Sequence, residues 1–179
     1  KRGENLTTIE AIRKELKAKQ LDGLLITNPF NRRYVTGFTG SAGVVLITHD
    51  EAIFITDFRY TEQAEREVKG FTIIQHGPQI VDDIANQVKR LNIERLGFEA
   101  EHMTMAQYSV YDDKLHSELV ATSGIIETLR MIKTDKEVAM IKKAAEIADR
   151  AFEHILSFIK PGVREIDIAN ELEYIMRKE

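Results

Sequence analysis

Short apolar runs recur along this chain up to residue 124, each separated from the next by a stretch with helical spacing or turn residues, and that alternation limits the fold more than any other feature. The runs are Leu24-Leu25-Ile26, Val44-Val45-Leu46-Ile47, Ala52-Ile53-Phe54-Ile55, Phe71-Thr72-Ile73-Ile74, Arg95-Leu96-Gly97-Phe98 and Glu118-Leu119-Val120. Their length and β-branched content suit strands. Thr7 and Glu10 stand at capping-box spacing before a helix whose Ile9, Ile12 and Leu16 share one face, and Leu21-Asp22-Gly23 is read as its end. Asn28-Pro29 is read as a turn after the first strand. Tyr60 to Val68, Ile80 to Leu91 and Thr104 to Leu115 read as further helices. The predicted class is α/β, a mixed sheet of about five or six strands flanked by helices on both faces. Val44–Ile55 reads as a hairpin turning at His49-Asp50, and it makes the sheet mixed.

The pattern changes near residue 124. A short helix is expected over Ile125 to Arg130, and Thr134 and Glu137 form a second capping box. Behind it Val138, Ile141, Ala145, Ala148, Phe152, Ile155 and Ile159 keep helical spacing until Lys160-Pro161-Gly162 stops the helix. Another amphipathic helix begins near Glu165, with Ile168, Leu172, Ile175 and Met176 on one face. The expected division is 1–126 as one domain and 127–179 as the start of a second, truncated one. Alone, its two helices should be loosely held or paired with a second copy. Lys1-Arg2-Gly3-Glu4 lacks an initiator Met and a signal-peptide core, so a trimmed or added amino end is expected.

Composition removes several function classes. Of the 179 residues, 25 are Lys or Arg and 29 are Asp or Glu, a net charge of −4, so no broad cationic face exists for nucleic acid. The absence of cysteine rules out disulfides, Cys-ligated zinc and a thiol nucleophile, and fits a cytoplasmic protein. No apolar run approaches the ~20 residues of a membrane span.

Gly37-x-x-Gly40-x-x-Gly43 lacks the Lys-Ser/Thr pair of a P-loop and does not fit G-x-G-x-x-G, and Ser41 is not in G-x-S-x-G. Two readings stay open: a tight backbone approach before a strand, or a loop lining a substrate site in a larger assembly. His49, His76, His102, His116 and His154 form no pair at metal-ligand spacing and are read as structural or surface residues. His154 lies near a helix end, where a cation suits the dipole. Asp82-Asp83 and Asp112-Asp113 are sequence neighbours and cannot face one another across a helix. Asp57-x-Arg59-Tyr60 follows a strand, at the kind of position where sheet proteins place ligands, or else Asp57 and Arg59 cap the next helix. No complete catalytic constellation is present.

At Asn31-Arg32-Arg33-Tyr34-x-Thr36-Gly37-Phe38-Thr39-Gly40-Ser41-Ala42-Gly43 the sequence resembles the amino-terminal domain of the Xaa-Pro aminopeptidase, prolidase (Xaa-Pro dipeptidase) and creatinase family. Asp57-Phe58-Arg59-Tyr60-x-x-Gln63-Ala64, Arg130-x-Ile132-Lys133-x-x-x-Glu137 with Ala144-x-x-Ile147-Ala148-x-x-Ala151-Phe152, and Lys160-Pro161-Gly162-Val163-x-Glu165 with Ala169-x-Glu171-Leu172-Glu173 extend it in order. The resemblance implies a two-domain metallopeptidase that hydrolyses the Xaa-Pro bond at the amino end of short proline-containing peptides. Its carboxyl-terminal pita-bread domain would hold two divalent metals (Mn, Co or Zn) through two Asp, one His and two Glu. None of those ligands maps onto this chain, so no catalytic or metal residue and no cofactor is assigned to it. The resemblance gives the amino-terminal part a role in forming a homodimer and in substrate access, with Tyr34, Phe38, Ser41, Arg59 and Tyr60 as access or binding candidates. The alternative is a non-catalytic protein-binding module of the same fold.

Overall fold

All six apolar runs become strands, the four central ones buried and the edge ones, Thr72–Gln75 and Glu118–Thr122, only partly so. Residues 7–179 are described in a computed structural model of the chain; Lys1-Arg2-Gly3-Glu4 lie outside the described residues. In chain order the elements are α1 (Thr8–Lys19), β1 (Gly23–Ile26), α2 (Pro29–Thr36), β2 (Val44–Thr48), β3 (Ala52–Thr56), α3 (Thr61–Glu67) and β4 (Thr72–Gln75). They continue with α4 (Ile80–Arg90), β5 (Arg95–Glu99), α5 (Met105–Lys114), β6 (Glu118–Thr122), α6 (Ile125–Met131), α7 (Asp135–Phe158) and α8 (Glu165–Lys178). The chain divides into two compact units, Lys1–Met131 and Ile132–Glu179.

The first unit is the mixed α/β sheet expected from the sequence, in the order β4-β3-β2-β1-β5-β6. β2 is antiparallel to both neighbours, with Leu25 opposite Leu46 and Leu46 opposite Ile53; all other pairs are parallel. Five strands therefore run one way and β2 the other. The period of two sends alternate side chains to opposite faces. Leu24, Ile26, Val45, Ile47 and Phe54 meet α1, α2, α3 and α6 through Ile12, Leu16, Val35, Ala64 and Ile126. Leu25, Leu46, Ile53 and Ile55 meet α4 and α5 through Ile84, Val88 and Tyr111. Both faces are covered, as a sheet whose central strands are apolar throughout requires.

Two local expectations change. α1 ends at Lys19 because Gln20 turns into the left-handed region (φ 55°) and its N–H donates to the Leu16 and Lys17 carbonyls. Leu21 is then free to enter the core and Gly23 opens β1, so Leu21-Asp22-Gly23 is not the helix end. Asn28-Pro29 does not simply turn the chain: it starts α2. Proline suits the first helical position, and the Asn28 side-chain oxygen accepts from the N–H groups of Phe30 (2.9 Å) and Asn31 (3.4 Å).

The second unit is a pair of helices. Thr134 and Glu137 cap α7 reciprocally. Ala151 and Ile155 are its buried residues, and α8 is tied to it by His154 Nε2 to Glu171 (2.7 Å) and Arg150 to Glu179 (2.8 Å). His154 thus has a carboxylate partner beyond any dipole effect. Val138, Ile141, Phe152 and Ile159 of the apolar stripe remain exposed. No helix among the described residues is long and apolar enough to cross a membrane.

A Cβ at Gly97 of β5 would lie 2.9 Å from Leu21 Cδ1, 3.1 Å from Thr122 Cγ2 and 3.2 Å from Leu24 Cδ1. Gly97→Val should therefore overpack this face and cost about 1–3 kcal/mol in urea unfolding. An unchanged midpoint would mean that the layer between β5 and Leu21 is looser than these distances describe.

Candidate functional site

The strand directions gather the chemistry at one edge. β1, β3, β4, β5 and β6 all end there, and β2 begins there, so the segments after those five strands and the loop before β2 share it. The carboxyl edge of parallel strands is where open α/β sheets bind ligands.

A buried carboxylate organises the centre of this edge. Glu99, the last residue of β5, accepts from the backbone N–H groups of Thr27 and Asn28 and from Asn31 Nδ2, each at 2.7 Å. Asn31 Nδ2 also donates to Glu127, and Asn31 Oδ1 accepts from Arg130 (2.7 Å), both on α6. Charge-assisted hydrogen bonds of this kind compensate the desolvation of a buried carboxylate. Sequence reading missed this cluster. Its one local signal is a polar residue at the end of an apolar strand run, while its partners lie 68 to 99 positions away.

The next residue of α2 works on the other side. Arg32 is only 5% exposed, yet no carboxylate faces it in the described structure. Its two terminal nitrogens donate to the carbonyls of Gly43 (2.8 Å) and Gly40 (2.9 Å), and its guanidinium lies 5.9 Å from the Phe38 ring centroid. Burial lowers its pKa from the ordinary arginine value.

The glycine stretch is resolved into separate requirements. Gly37 caps α2 at φ 77°. Gly40 has no room for a side chain, since a Cβ would lie 2.4 Å from Phe38 Cζ and 2.9 Å from Tyr60 Cδ1. Gly43 takes φ 144° with Phe54 Cζ 2.6 Å from its Cβ position. These tight approaches match the first of the two readings of the stretch. Thr39 adds a tether, donating through N and Oγ1 to Glu67 at 2.9 Å each, which holds that carboxyl below the usual range. Thr56 Oγ1 donates to the Ala42 carbonyl (2.8 Å).

Of the candidate residues, Ser41, Arg59 and Tyr60 come together. Ser41 Oγ and the Tyr60 hydroxyl are 2.7 Å apart, and the Arg59 guanidinium lies 5.5 Å from the Tyr60 ring centroid. Phe38 forms the buried base of the group, 1% exposed and edge-on to Tyr60 at 5.8 Å. Tyr34 points elsewhere, its hydroxyl donating to the Leu129 carbonyl of α6 (3.3 Å). Asp57 receives Arg59 in a bidentate pair at 3.0 and 2.8 Å and also accepts the Arg59 N–H (2.9 Å). The Asp57 side chain does not cap α3, whose N-cap position is Tyr60 with no side-chain cap bond. The Arg59 guanidinium, followed by the Arg59 N–H, holds the Asp57 carboxyl below its usual value.

Other polar groups are absorbed locally. Asp82 pairs with Lys114 (2.7 Å) while Asp83 accepts the Gly77 N–H (2.8 Å), so the two neighbours diverge. A cleft of about 170 Å³ beside Glu99 is lined by Asn28, Glu101, His102, Thr122 and Ser123 among others. No three His, Asp or Glu side chains among the described residues converge as a metal site. These residues do not fit the dinuclear centre that the resemblance implied for the other domain.

Glu99→Gln should cost about 2–3 kcal/mol in urea unfolding, because a partly buried backbone donor loses its charged acceptor. Glu101→Gln, on an exposed residue of the same edge, should stay within about 0.5 kcal/mol. Equal effects would show that Glu99 is not the clamp. Asp57 has a folded pKa below its reference value of 3.8, so its stabilisation is present above that value and is lost as pH falls through the lowered one. The melting-temperature gap between wild type and Asp57→Asn should therefore close on acidification; a gap that widens toward acid would contradict the pairing.

Compared with known proteins, residues 8–132 match the Creatinase/Prolidase N-terminal domain and residues 139–179 match Metallopeptidase family M24. The uncharacterized peptidase YqhT of Bacillus subtilis (strain 168) is 49% identical over 172 residues, 96% of this chain and 49% of that protein. The structure of an Xaa-Pro dipeptidase from Bacillus anthracis has a TM-score of 0.92 and 52% identity, covering 95% of this chain and 48% of that one. An X-Pro aminopeptidase from Thermotoga maritima MSB8 has a TM-score of 0.82 and 30% identity, covering 92% of this chain and 49% of that one. The chain spans about half the length of the relatives it matches. With its sheet order and both successive segments matched, this chain belongs to the creatinase/prolidase amino-terminal domain family and runs on into an M24 metallopeptidase segment.

Proposed function

We propose that this chain is the amino-terminal, non-catalytic portion of a proline-specific metallopeptidase that cleaves the Xaa-Pro bond at the amino end of short peptides. The observation that carries this reading is the match along nearly the whole chain, at about half sequence identity, to an Xaa-Pro dipeptidase structure. Hydrolysis would belong to the M24 half, with two divalent ions (Mn, Co or Zn) held by residues other than those described here. The chain would act in the cytoplasm, within a homodimer, as a support for assembly and a boundary for substrate access.

The access role is assigned to the edge carrying Ser41, Arg59 and Tyr60, braced by Phe38 from below and by Tyr34 through α6. Arg59 is already answered by Asp57. What remains to meet a peptide is the Ser41–Tyr60 hydroxyl pair and the Phe58 ring, which is 75% exposed. Such a surface offers hydrogen bonds and apolar contact and carries no bare cation. A second reading, a protein-binding module of the same fold, draws on the exposed Val138, Ile141, Phe152 and Leu156 of α7.

The deciding assay measures proline release from an Xaa-Pro dipeptide with added manganese, cobalt or zinc. It compares this chain with the polypeptide that joins it to a complete M24 half. Turnover by the longer polypeptide and none by this chain is expected. Turnover by this chain alone would place catalysis among the residues described here, and inactivity of the longer polypeptide with all three metals would favour the binding module.

A further inference from the structure

We infer that Arg32 is the positioning residue of the 37–43 loop, the group that decides where Ser41 stands and so how closely Tyr60 and its hydroxyl partner approach a substrate. This rests on the access role proposed above. Arg32 takes no part in that surface itself, being buried beneath it.

The geometry is specific to a guanidinium. Ser41 lies between two carbonyls, those of Gly40 and Gly43, and both accept from one planar group, at 2.9 and 2.8 Å. A planar fork fixes the separation of its two acceptors, whereas an ammonium is a single point with freely rotating donors. The loop's other ties act at Gly37, Phe38, Thr39, Ala42 and the Ser41 hydroxyl, so Arg32 alone spans the residues that bracket Ser41 among the described hydrogen bonds.

The fork is itself anchored. Asn31, one residue earlier on α2, is gripped by Glu99 of β5 and by Glu127 and Arg130 of α6. The two residues act toward different partners, Asn31 toward β5 and α6 and Arg32 toward the loop. Displacement of α2 would therefore be transmitted to Ser41 through Arg32. The position is also crowded, because a Cβ at Gly40 would lie 2.4 Å from Phe38 Cζ and 2.9 Å from Tyr60 Cδ1.

The test uses Arg32→Lys, which keeps the charge and loses the fork, and Arg32→Gln, which keeps one amide donor with no buried charge. In this chain, amide exchange at residues 40–43 should rise about tenfold in either variant while the β2 and β3 amides keep their protection. In the complete peptidase, KM for an Xaa-Pro dipeptide should rise about tenfold with kcat within about twofold, since misplacement of a remote positioning group weakens binding before chemistry. Unchanged exchange at 40–43 in a folded variant overturns the inference whatever the kinetics. Faster exchange with KM unchanged leaves Arg32 holding the loop but overturns the access role, and the inference falls with it. A fall in kcat with KM unchanged also overturns it. Should the Lys variant lose protection throughout the core, the Gln variant, free of the buried charge, decides by the same readings; loss of all protection in both would show a general core residue and overturn the positioning role.

Discussion

Glu99 closes the seam between β1 and β5 at the edge where both strands end, and the arrangement of that edge follows from its hydrogen bonds. Leaving β1, the chain presents the N–H groups of Thr27 and Asn28 in a partly buried setting, where an unpaired donor is costly. The Glu99 carboxylate takes both, then reaches Asn31 within the first turn of α2. α2 is thereby set against β5 on one side and α6 on the other. Its orientation decides where Arg32 emerges, and Arg32 decides the path of the chain into β2.

The reversed strand β2 explains why so much polar structure meets at this edge. In a purely parallel sheet only strand ends would be present there. Because β2 runs against its neighbours, the approach to it must cross the same edge as the turns leaving β1 and β3. That crossing is crowded. Phe38 and Phe54 pack at 4.7 Å between ring centroids beneath it, Tyr60 meets Phe38 edge-on, and the backbone has to pass with glycine at 40 and 43. The loop is held by a buried cation and carbonyl groups, an arrangement that fixes backbone position without consuming the exposed hydroxyls of Ser41 and Tyr60.

The second unit follows different physics. α7 has a reciprocal cap and 24 residues, so it forms a long helix with little tertiary help. Ala151 and Ile155 are its buried residues, and the links to α8 include one His–Glu and one Arg–Glu pair. Exposed ion pairs contribute little to stability, so these pairs add little to what the cap and the two buried residues of α7 supply.

The sequence by itself determined the elements of the sheet domain other than α2, because periods of two and of three to four residues are local properties that any window displays. It also determined the caps at Thr7 and Thr134, where a hydroxyl and a carboxylate three positions apart suffice. α2 was hidden for a local reason as well: the same Asn-Pro pair that turns the chain also starts a helix, and only the following residues' contacts separate the two. Arg59 and Tyr60 were legible as part of a polar cluster after a strand, and Ser41 through the family resemblance. Their convergence was not, nor was the split that sends Tyr34 to α6. The Glu99–Asn31–Arg130 cluster was decided by tertiary structure, whereas the Arg32 fork joins residues only 8 and 11 positions apart within one motif. A buried charge is tolerated only where distant donors or acceptors come to meet it, and those partners are brought together by strand order, which no short stretch of sequence contains.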